Sequence, residues 1–85
     1  MEEQAKAPGT DDVTLDCRAL RCPMPIVRIS QAIKQIGDDQ VLIVEATDPA
    51  FAADVRAWAD MTGNILEDFV DGEVKRARIR RRAAA

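Results

Sequence analysis

The chain has 85 residues, 47% of them apolar and 32% charged, which is the composition of one small folded domain rather than of two domains or a disordered chain. It contains no histidine, which excludes Ser–His and Cys–His catalytic pairs and zinc sites with imidazole ligands. Its two cysteines are too few for a four-thiolate metal site, an iron–sulfur cluster or a disulfide-built scaffold. Thiol chemistry, carboxylate chemistry and binding remain, and we expect neither a metal nor a cofactor.

The formal net charge of −3 is unevenly distributed along the chain. Residues 75–82 carry six basic groups and no acidic group, whereas the other residues carry six basic and fifteen acidic groups. Such a basic segment is typical of a solvated edge strand that continues into a tail, or of a surface that binds RNA or an acidic protein.

No segment of the sequence has the pattern of a targeting or membrane-spanning element. Residues 1–10 are polar and lack the apolar region of a signal peptide, and the longest aliphatic run, residues 41–44, is far too short to cross a membrane. We therefore expect a cytoplasmic protein with no membrane association, in a compartment where thiols stay reduced.

The first half of the chain predicts a strand, a helix and a second strand. After residues 1–11, which we expect to be flexible, apolar and polar residues alternate up to Cys17 as in a half-buried strand. A stripe of isoleucines predicts a helix over residues 24–36, with Gly37 after its end. Residues 40–47 are aliphatic on both faces, which predicts a central strand.

The second half predicts one more helix and two more strands. Asp48 is expected to cap a helix whose apolar stripe ends before Gly63. A strand over residues 65–70 follows, then a two-residue hairpin turn at Asp71-Gly72 and a last strand over about residues 73–80. The apolar positions of that last strand change parity, which predicts a bulge near residues 75–76 or an exposed edge.

The predicted element order is βαβαββ, in a single domain of residues 12–81 followed by a flexible tail of residues 82–85. Two helices can cover one face of four strands. We therefore predict an α/β (α+β) two-layer sandwich with a four-stranded mixed sheet and both helices on one face, and we expect it to be a monomer.

Cys22-Pro23-Met24-Pro25 stands at the predicted start of the first helix. Both prolines are tolerated in a first helical turn if Cys22 is the N-cap, because the N–H groups of that turn have no partner within the helix. The positive end of the helix dipole, together with Arg18 and Arg21, would favour the thiolate. The pattern therefore predicts an exposed, nucleophilic Cys22 with a low pKa; the alternative is a small buried core residue.

Residues 15–25, Leu-Asp-Cys-Arg-Ala-Leu-Arg-Cys-Pro-Met-Pro, resemble the opening signature of the TusA/SirA family of small sulfur-carrier proteins. That signature has Leu-Asp, then Gly-Leu, then Cys-Pro-x-Pro. The Asp48-Pro49 pair and Gly63 are similar to the family layout as well, so the resemblance covers about residues 13–80.

The resemblance implies a persulfide relay. Cys22 would accept sulfane sulfur from a donor protein, such as a cysteine desulfurase or a rhodanese-like protein, and would pass it to an acceptor protein. Such a sulfurtransferase acts as a carrier with partners rather than as a stand-alone catalyst. Family members serve tRNA thiolation, cofactor supply or sulfur oxidation, and the sequence does not choose among these pathways.

Other residues of the signature support Cys22 or depart from the family pattern. Ala19 stands where the family usually has glycine, and it would strain the loop if its φ were positive. Asp16 could orient the loop through backbone N–H groups or simply face water. Met24 could belong to a docking surface or pack against the next loop. Cys17 is either a buried core residue or a resolving thiol that forms a disulfide with Cys22.

Two further functions therefore stay open beside the sulfur carrier. The first is a nucleic-acid-binding or regulatory module that uses the basic residues 75–82, although the acidic remainder and the scarcity of aromatic residues do not favour nucleic acid. The second is a dithiol redox protein that uses Cys17 and Cys22.

Overall fold

The computed structural model describes residues 12–82, which form four strands and two helices in the predicted order. The flexible segments predicted for residues 1–11 and for the tail fall on residues 1–11 and 83–85, which lie outside the described residues. The elements are β1 (Val13–Cys17), α1 (Met24–Ala32), β2 (Val41–Ala46), α2 (Phe51–Thr62), β3 (Ile65–Val70) and β4 (Lys75–Arg80). Within residues 12–82, no helix is long and apolar enough to cross a membrane.

The four strands form one mixed sheet in the order β1-β2-β4-β3. Strand β2 pairs in parallel with β1, and β4 pairs antiparallel with both β2 and β3. The expectation that β2 is central is therefore confirmed. The alternative that the last strand is an exposed edge is wrong, because β4 has a hydrogen-bonded neighbour on each side.

A hydrophobic core lies between the sheet and the two helices, as expected for a two-layer sandwich. From β2 and β4 it takes the side chains on the face of the sheet that the helices cover: Leu42, Val44, Ala46, Ala77 and Ile79. Between the helices, the indole Nε1 of Trp58 donates a hydrogen bond to Oγ of Ser30 at 3.1 Å. The helices are thus fixed to each other as well as to the sheet.

Helix α1 is shorter than the sequence predicts. It ends at Ala32, and residues 33–35 form a turn in which the N–H of Gln35 donates to the carbonyl of Ala32 at 3.0 Å. This turn is tighter than an α-helical one, since it closes over three residues instead of four. Ile33 and Ile36 nevertheless remain buried, so the isoleucine stripe identified the buried face correctly and only the end of the helix was wrong.

Helix α2 has the predicted ends to within two residues. The N-cap residue before Phe51 is Ala50 and not Asp48, so the predicted cap is wrong. The carboxylate of Asp48 accepts the N–H of Ala50 at 3.2 Å, in the turn that precedes the helix. After its last residue, Gly63 takes a left-handed conformation with φ 78°, and its N–H donates to the carbonyl of Ala59 at 2.9 Å. The glycine is required there because a side chain is strained at that φ.

The irregularity predicted for the last strand lies in β3 instead. The register between β3 and β4 shifts between Leu66 and Asp68, so that Leu66 and Phe69 both pack against the core although their positions differ in parity. The predicted bulge at residues 75–76 is therefore wrong. The predicted two-residue turn is wrong too, because residues 71–74 all lie between β3 and β4.

Candidate functional site

Cys22 lies in the loop between β1 and α1, and its side chain is exposed. The N-cap residue of α1 is Pro23 and not Cys22, so the thiol precedes the cap by one residue. The carbonyl of Pro23 accepts hydrogen bonds from the N–H groups of Ile26 and Val27. Pro25 is buried in the first turn, where its missing N–H costs no helical hydrogen bond.

The loop that carries Cys22 is fixed to the ends of both neighbouring parallel strands. The N–H of Leu20 donates to the carbonyl of Cys17 at the end of β1. The N–H of Ala19 donates to Oγ1 of Thr47, just after β2, at 2.9 Å. Ala19 has a φ of 67°, which is the left-handed conformation that favours the family's glycine.

Asp16 and Arg18 form a local pair at the start of this loop. The Arg18 guanidinium donates to both carboxylate oxygens of Asp16, at 2.9 and 3.0 Å, and the Arg18 backbone N–H donates to the same carboxylate at 3.0 Å. These hydrogen bonds lower the pKa of Asp16 to about 2. The charge of Arg18 is thus paired with Asp16, and the predicted support of the Cys22 thiolate by Arg18 is wrong.

Asp54, in the first turn of α2, is the charged residue with the largest effect on the pKa of Cys22. The thiol donates a hydrogen bond to the Asp54 carboxylate, which raises the pKa of Cys22; partial desolvation and the negative charges of Asp54 and Asp48 act in the same direction. The predicted low pKa of Cys22 is therefore wrong, because these interactions raise the pKa instead of lowering it.

Cys22 and Asp54 lie at the rim of one cleft of about 260 Å³ between the two helices. The other lining residues are mainly apolar: Pro23, Ile26, Ala57, Trp58 and Met61. Two more apolar side chains of α1, Met24 and Val27, are exposed, and Met61 itself is 83% exposed. Met24 follows the thiol by two residues and is exposed, so its use in a docking surface remains a prediction.

Comparison with known proteins shows which family the chain belongs to. The model of the family described as sulfurtransferase TusA matches residues 13–81. The chain belongs to the TusA family. The match begins at the first residue of β1 and ends just after β4, so it includes all six elements and the loop with Cys22.

Several proteins related to this chain are named as sulfur carrier proteins. A candidate sulfur carrier protein of Aquifex aeolicus is 45% identical over 56 residues, which are 66% of this chain and 28% of that protein. The candidate sulfur carrier protein YrkF of Bacillus subtilis is 39% identical over 70 residues, 81% of this chain and 38% of its own length. Sulfur carrier protein TusA of Allochromatium vinosum is 44% identical over 55 residues, 65% of this chain and 72% of the relative. The chain thus spans well under half the length of the first two.

Cys17, the second thiol of this TusA-family chain, is buried in the core at the end of β1 with no exposed surface. Burial raises its pKa, an effect that the charge of Arg28 opposes in part and that of Asp16 reinforces. Both cysteines are free thiols. The position of Cys17 is that of a core residue, and the resolving role would require it to leave the core.

The basic residues 75–82 are mostly paired with carboxylates. Five of the six basic side chains take part, and the pairs are Lys75–Asp71, Arg76–Glu45, Arg78–Asp12, Arg78–Glu67, Arg80–Glu67 and Arg81–Asp38. Several of these ion pairs join β4 to a neighbouring strand, so the basic and acidic charges neutralise one another on the sheet surface. This pairing does not favour a surface for nucleic acid.

The residue of this cleft that the sequence analysis did not name is Asp54. A signal for it exists in the topology: β1 and β2 are parallel, so the helices that follow them start at the same edge of the sheet. An acidic residue in the first turn of α2 therefore lies near the start of α1. Within residues 12–82, no group of three or more acidic or thiol side chains is placed to hold a metal ion.

Proposed function

We propose that this protein is a sulfur carrier that accepts sulfane sulfur as a persulfide on Cys22 and passes it to a partner protein. The observation that carries the proposal is the exposed thiol of a Cys-Pro-Met-Pro motif at the rim of an apolar cleft, in a member of the TusA family. The names of the relatives, which are those of sulfur carriers, support it.

Loading would be an exchange between a persulfide and a thiol. The sulfur of Cys22 attacks the outer sulfur of a persulfide on the donor, the donor's sulfur–sulfur bond breaks, and the donor's cysteine leaves as a thiolate that takes up a proton. The products are a thiol on the donor and a persulfide on Cys22. Since the donor supplies sulfur at the right oxidation level, the step uses no metal, no oxidant and no cofactor, and unloading is the same exchange onto an acceptor.

The partners in this proposal are two proteins, a donor of the cysteine desulfurase or rhodanese-like kind and an acceptor. An exposed thiol with apolar side chains around it suits contact with a protein surface, since apolar patches of this kind mark interaction sites. The carrier would act in the cytoplasm, where Cys22 stays reduced between transfers. The domain of residues 12–81 would bind these partners as a monomer.

The test is to incubate the protein with a persulfide donor and to measure its intact mass. We expect the wild-type protein to gain the mass of one sulfur atom and to lose it again on reduction, and we expect Cys22→Ser to gain nothing. Cys17→Ala is the matched control, because it removes the buried thiol and leaves Cys22 in place. A gain of sulfur by Cys22→Ser, or its loss in Cys17→Ala while the variant stays folded by circular dichroism, contradicts the assignment.

A further inference from the structure

Asp54 lines the cleft between the helices together with Cys22, and it lies in the first turn of α2. Both side chains line the same cleft, which contains no basic side chain. The ion pairs formed among residues 12–82 involve other carboxylates and not Asp54. Cys22 therefore shares a cleft with a carboxylate that forms no ion pair with another side chain of residues 12–82.

The surroundings strengthen the effect of that charge. The cleft walls near the thiol are mainly apolar and include no basic side chain that would offset this charge. Asp48, in the loop before α2, adds a second negative charge that acts on Cys22. Arg21 precedes Cys22 in the chain, and Arg18, the other cation of the loop, is paired with Asp16.

We propose that Asp54 makes Cys22 selective for donors that bring a cationic group beside their persulfide. In the free protein, Asp54 keeps the proton on Cys22 and so suppresses reactions with other electrophiles. When a lysine or arginine of the donor pairs with Asp54 in the complex, the negative field at the sulfur is cancelled and the thiol can lose its proton. This inference rests on the proposed function, because it names the chemistry of the partner that loads Cys22.

The matching donor surface has two parts. An apolar patch would cover Met24, Val27 and Met61, and a basic side chain next to the donor cysteine would reach Asp54. In the transfer, the Cys22 proton passes to solvent or to the leaving thiolate of the donor, while the outer sulfur moves from the donor to Cys22 as described above. The basic group changes no bond and acts only through its charge.

The experiment uses two small thiosulfonate probes with the same reactive group and head groups of opposite charge, 2-(trimethylammonio)ethyl methanethiosulfonate and 2-sulfonatoethyl methanethiosulfonate. In both reactions the Cys22 thiolate attacks the divalent sulfur of the probe, a disulfide forms, and methanesulfinate leaves. The second-order rate constants are measured at several pH values on the Cys17→Ala background, so that only Cys22 reacts. Their ratio reports the electrostatic potential at the sulfur.

We expect the protein with Asp54 to react faster with the cationic probe. Asp54→Asn should lower the ratio of cationic to anionic rate constants roughly three- to tenfold, because one nearby charge is removed. The same substitution should move the pH profile of both reactions toward lower pH, since the carboxylate no longer stabilises the thiol. Asp54→Glu should keep the preference for the cationic probe.

Asp60→Asn is the matched control, because Asp60 lies on the same helix but lines a different cleft, away from Cys22. The Asp60→Asn variant should have the same ratio of cationic to anionic rate constants, and the same pH profile, as the Cys17→Ala protein that keeps both Asp54 and Asp60. The proposal is overturned if Asp54→Asn leaves the ratio unchanged, or if Asp60→Asn changes it equally, since the effect would then come from net charge alone.

The outcome is independent of whether the protein carries sulfur. If Asp54 controls the probe ratio but a persulfide donor never loads Cys22, the electrostatic selectivity stands and the proposed function fails. If loading occurs but the ratio does not depend on Asp54, the proposed function stands and this inference fails.

Discussion

The two cysteines lie five positions apart in the sequence and have opposite environments. Cys17 ends β1 on the core side, as the alternation of that strand predicts, and Cys22 follows a loop that turns it out to solvent. Local patterns were sufficient to predict these positions, because strand parity and the two prolines are both short-range signals.

The charge around Cys22 could not be predicted in the same way. The sequence argument counted the start of the helix, Arg18 and Arg21, all within a few residues of the thiol. Arg18 instead pairs with Asp16, and Asp54 reaches Cys22 from a helix 32 residues further along the chain. Long-range packing therefore decides the sign of the pKa change, which is why the predicted direction was wrong.

At the level of single residues, Ala19 is the position where this chain should be easiest to stabilise. An L-residue with φ near 67° costs about 1–2 kcal/mol, and glycine removes that cost while adding somewhat less than 1 kcal/mol of chain entropy in the unfolded state. We expect Ala19→Gly to raise the free energy of unfolding by about 0.5–1 kcal/mol, as measured by denaturant unfolding.

The matched control for that prediction is Ala57→Gly, an exposed position in the middle of α2. There the same substitution should lower the free energy of unfolding by about 1 kcal/mol, because the helix prefers alanine. Equal effects of the two substitutions would mean that the backbone of Ala19 is not strained.

At the level of elements, every helix and strand was predicted, but the details that depend on partners were not. The isoleucine stripe continues through Ile36 because the tight turn after α1 keeps Ile33 and Ile36 on the buried side, so periodicity alone could not show where the helix ends. Similarly, the bulge in β3 is visible only in its pairing with β4. Burial patterns are local, whereas register is a property of two strands.

Gly63 gives a prediction at the level of an element, because it ends α2 and also approaches the C-terminal segment. A Cβ at this position would lie 3.1 Å from Cδ of Arg82 and would require a left-handed φ of 78°. We expect Gly63→Ala to lower the free energy of unfolding by about 1–2 kcal/mol, as measured by thermal or denaturant unfolding.

Gly37→Ala serves as its control. A Cβ at Gly37 would have ordinary van der Waals contact, 3.6 Å from Oε1 of Gln40, and the backbone there has no positive φ. This variant should therefore unfold within about 0.5 kcal/mol of the wild-type protein. A loss at Gly37 as large as that at Gly63 would contradict the role of the left-handed cap.

At the level of the whole molecule, the sheet order could not be obtained from the sequence, because it depends on contacts between distant segments. The basic run of residues 75–82 suggested an edge strand, yet β4 lies between β2 and β3. Its arginines alternate with the buried Ala77 and Ile79 and pair with carboxylates of the neighbouring segments. A run of like charges in a sequence thus becomes a neutralised surface in the folded sheet.

The burial of Cys17 links disulfide formation to global unfolding. In the native protein, we expect mild oxidation to leave Cys17 as a thiol, so that no chain loses the two hydrogens of an intramolecular disulfide. In denaturant both thiols are accessible, and the loss of two hydrogens should appear in the intact mass. Rapid formation of the disulfide without denaturant would instead support the dithiol redox function.

The position of β4 between β2 and β3 also determines when the sheet can form during synthesis of the chain. A ribosome releases the chain from its N-terminal end, so β1, β2 and both helices emerge before the strand that joins β2 to β3. Until residues 75–80 have left the ribosome, β2 has only β1 beside it and β3 has no neighbour in the sheet. The nascent chain must therefore wait for its last strand before the sheet can close, and during that interval it exposes unpaired strand edges on which chaperones can act.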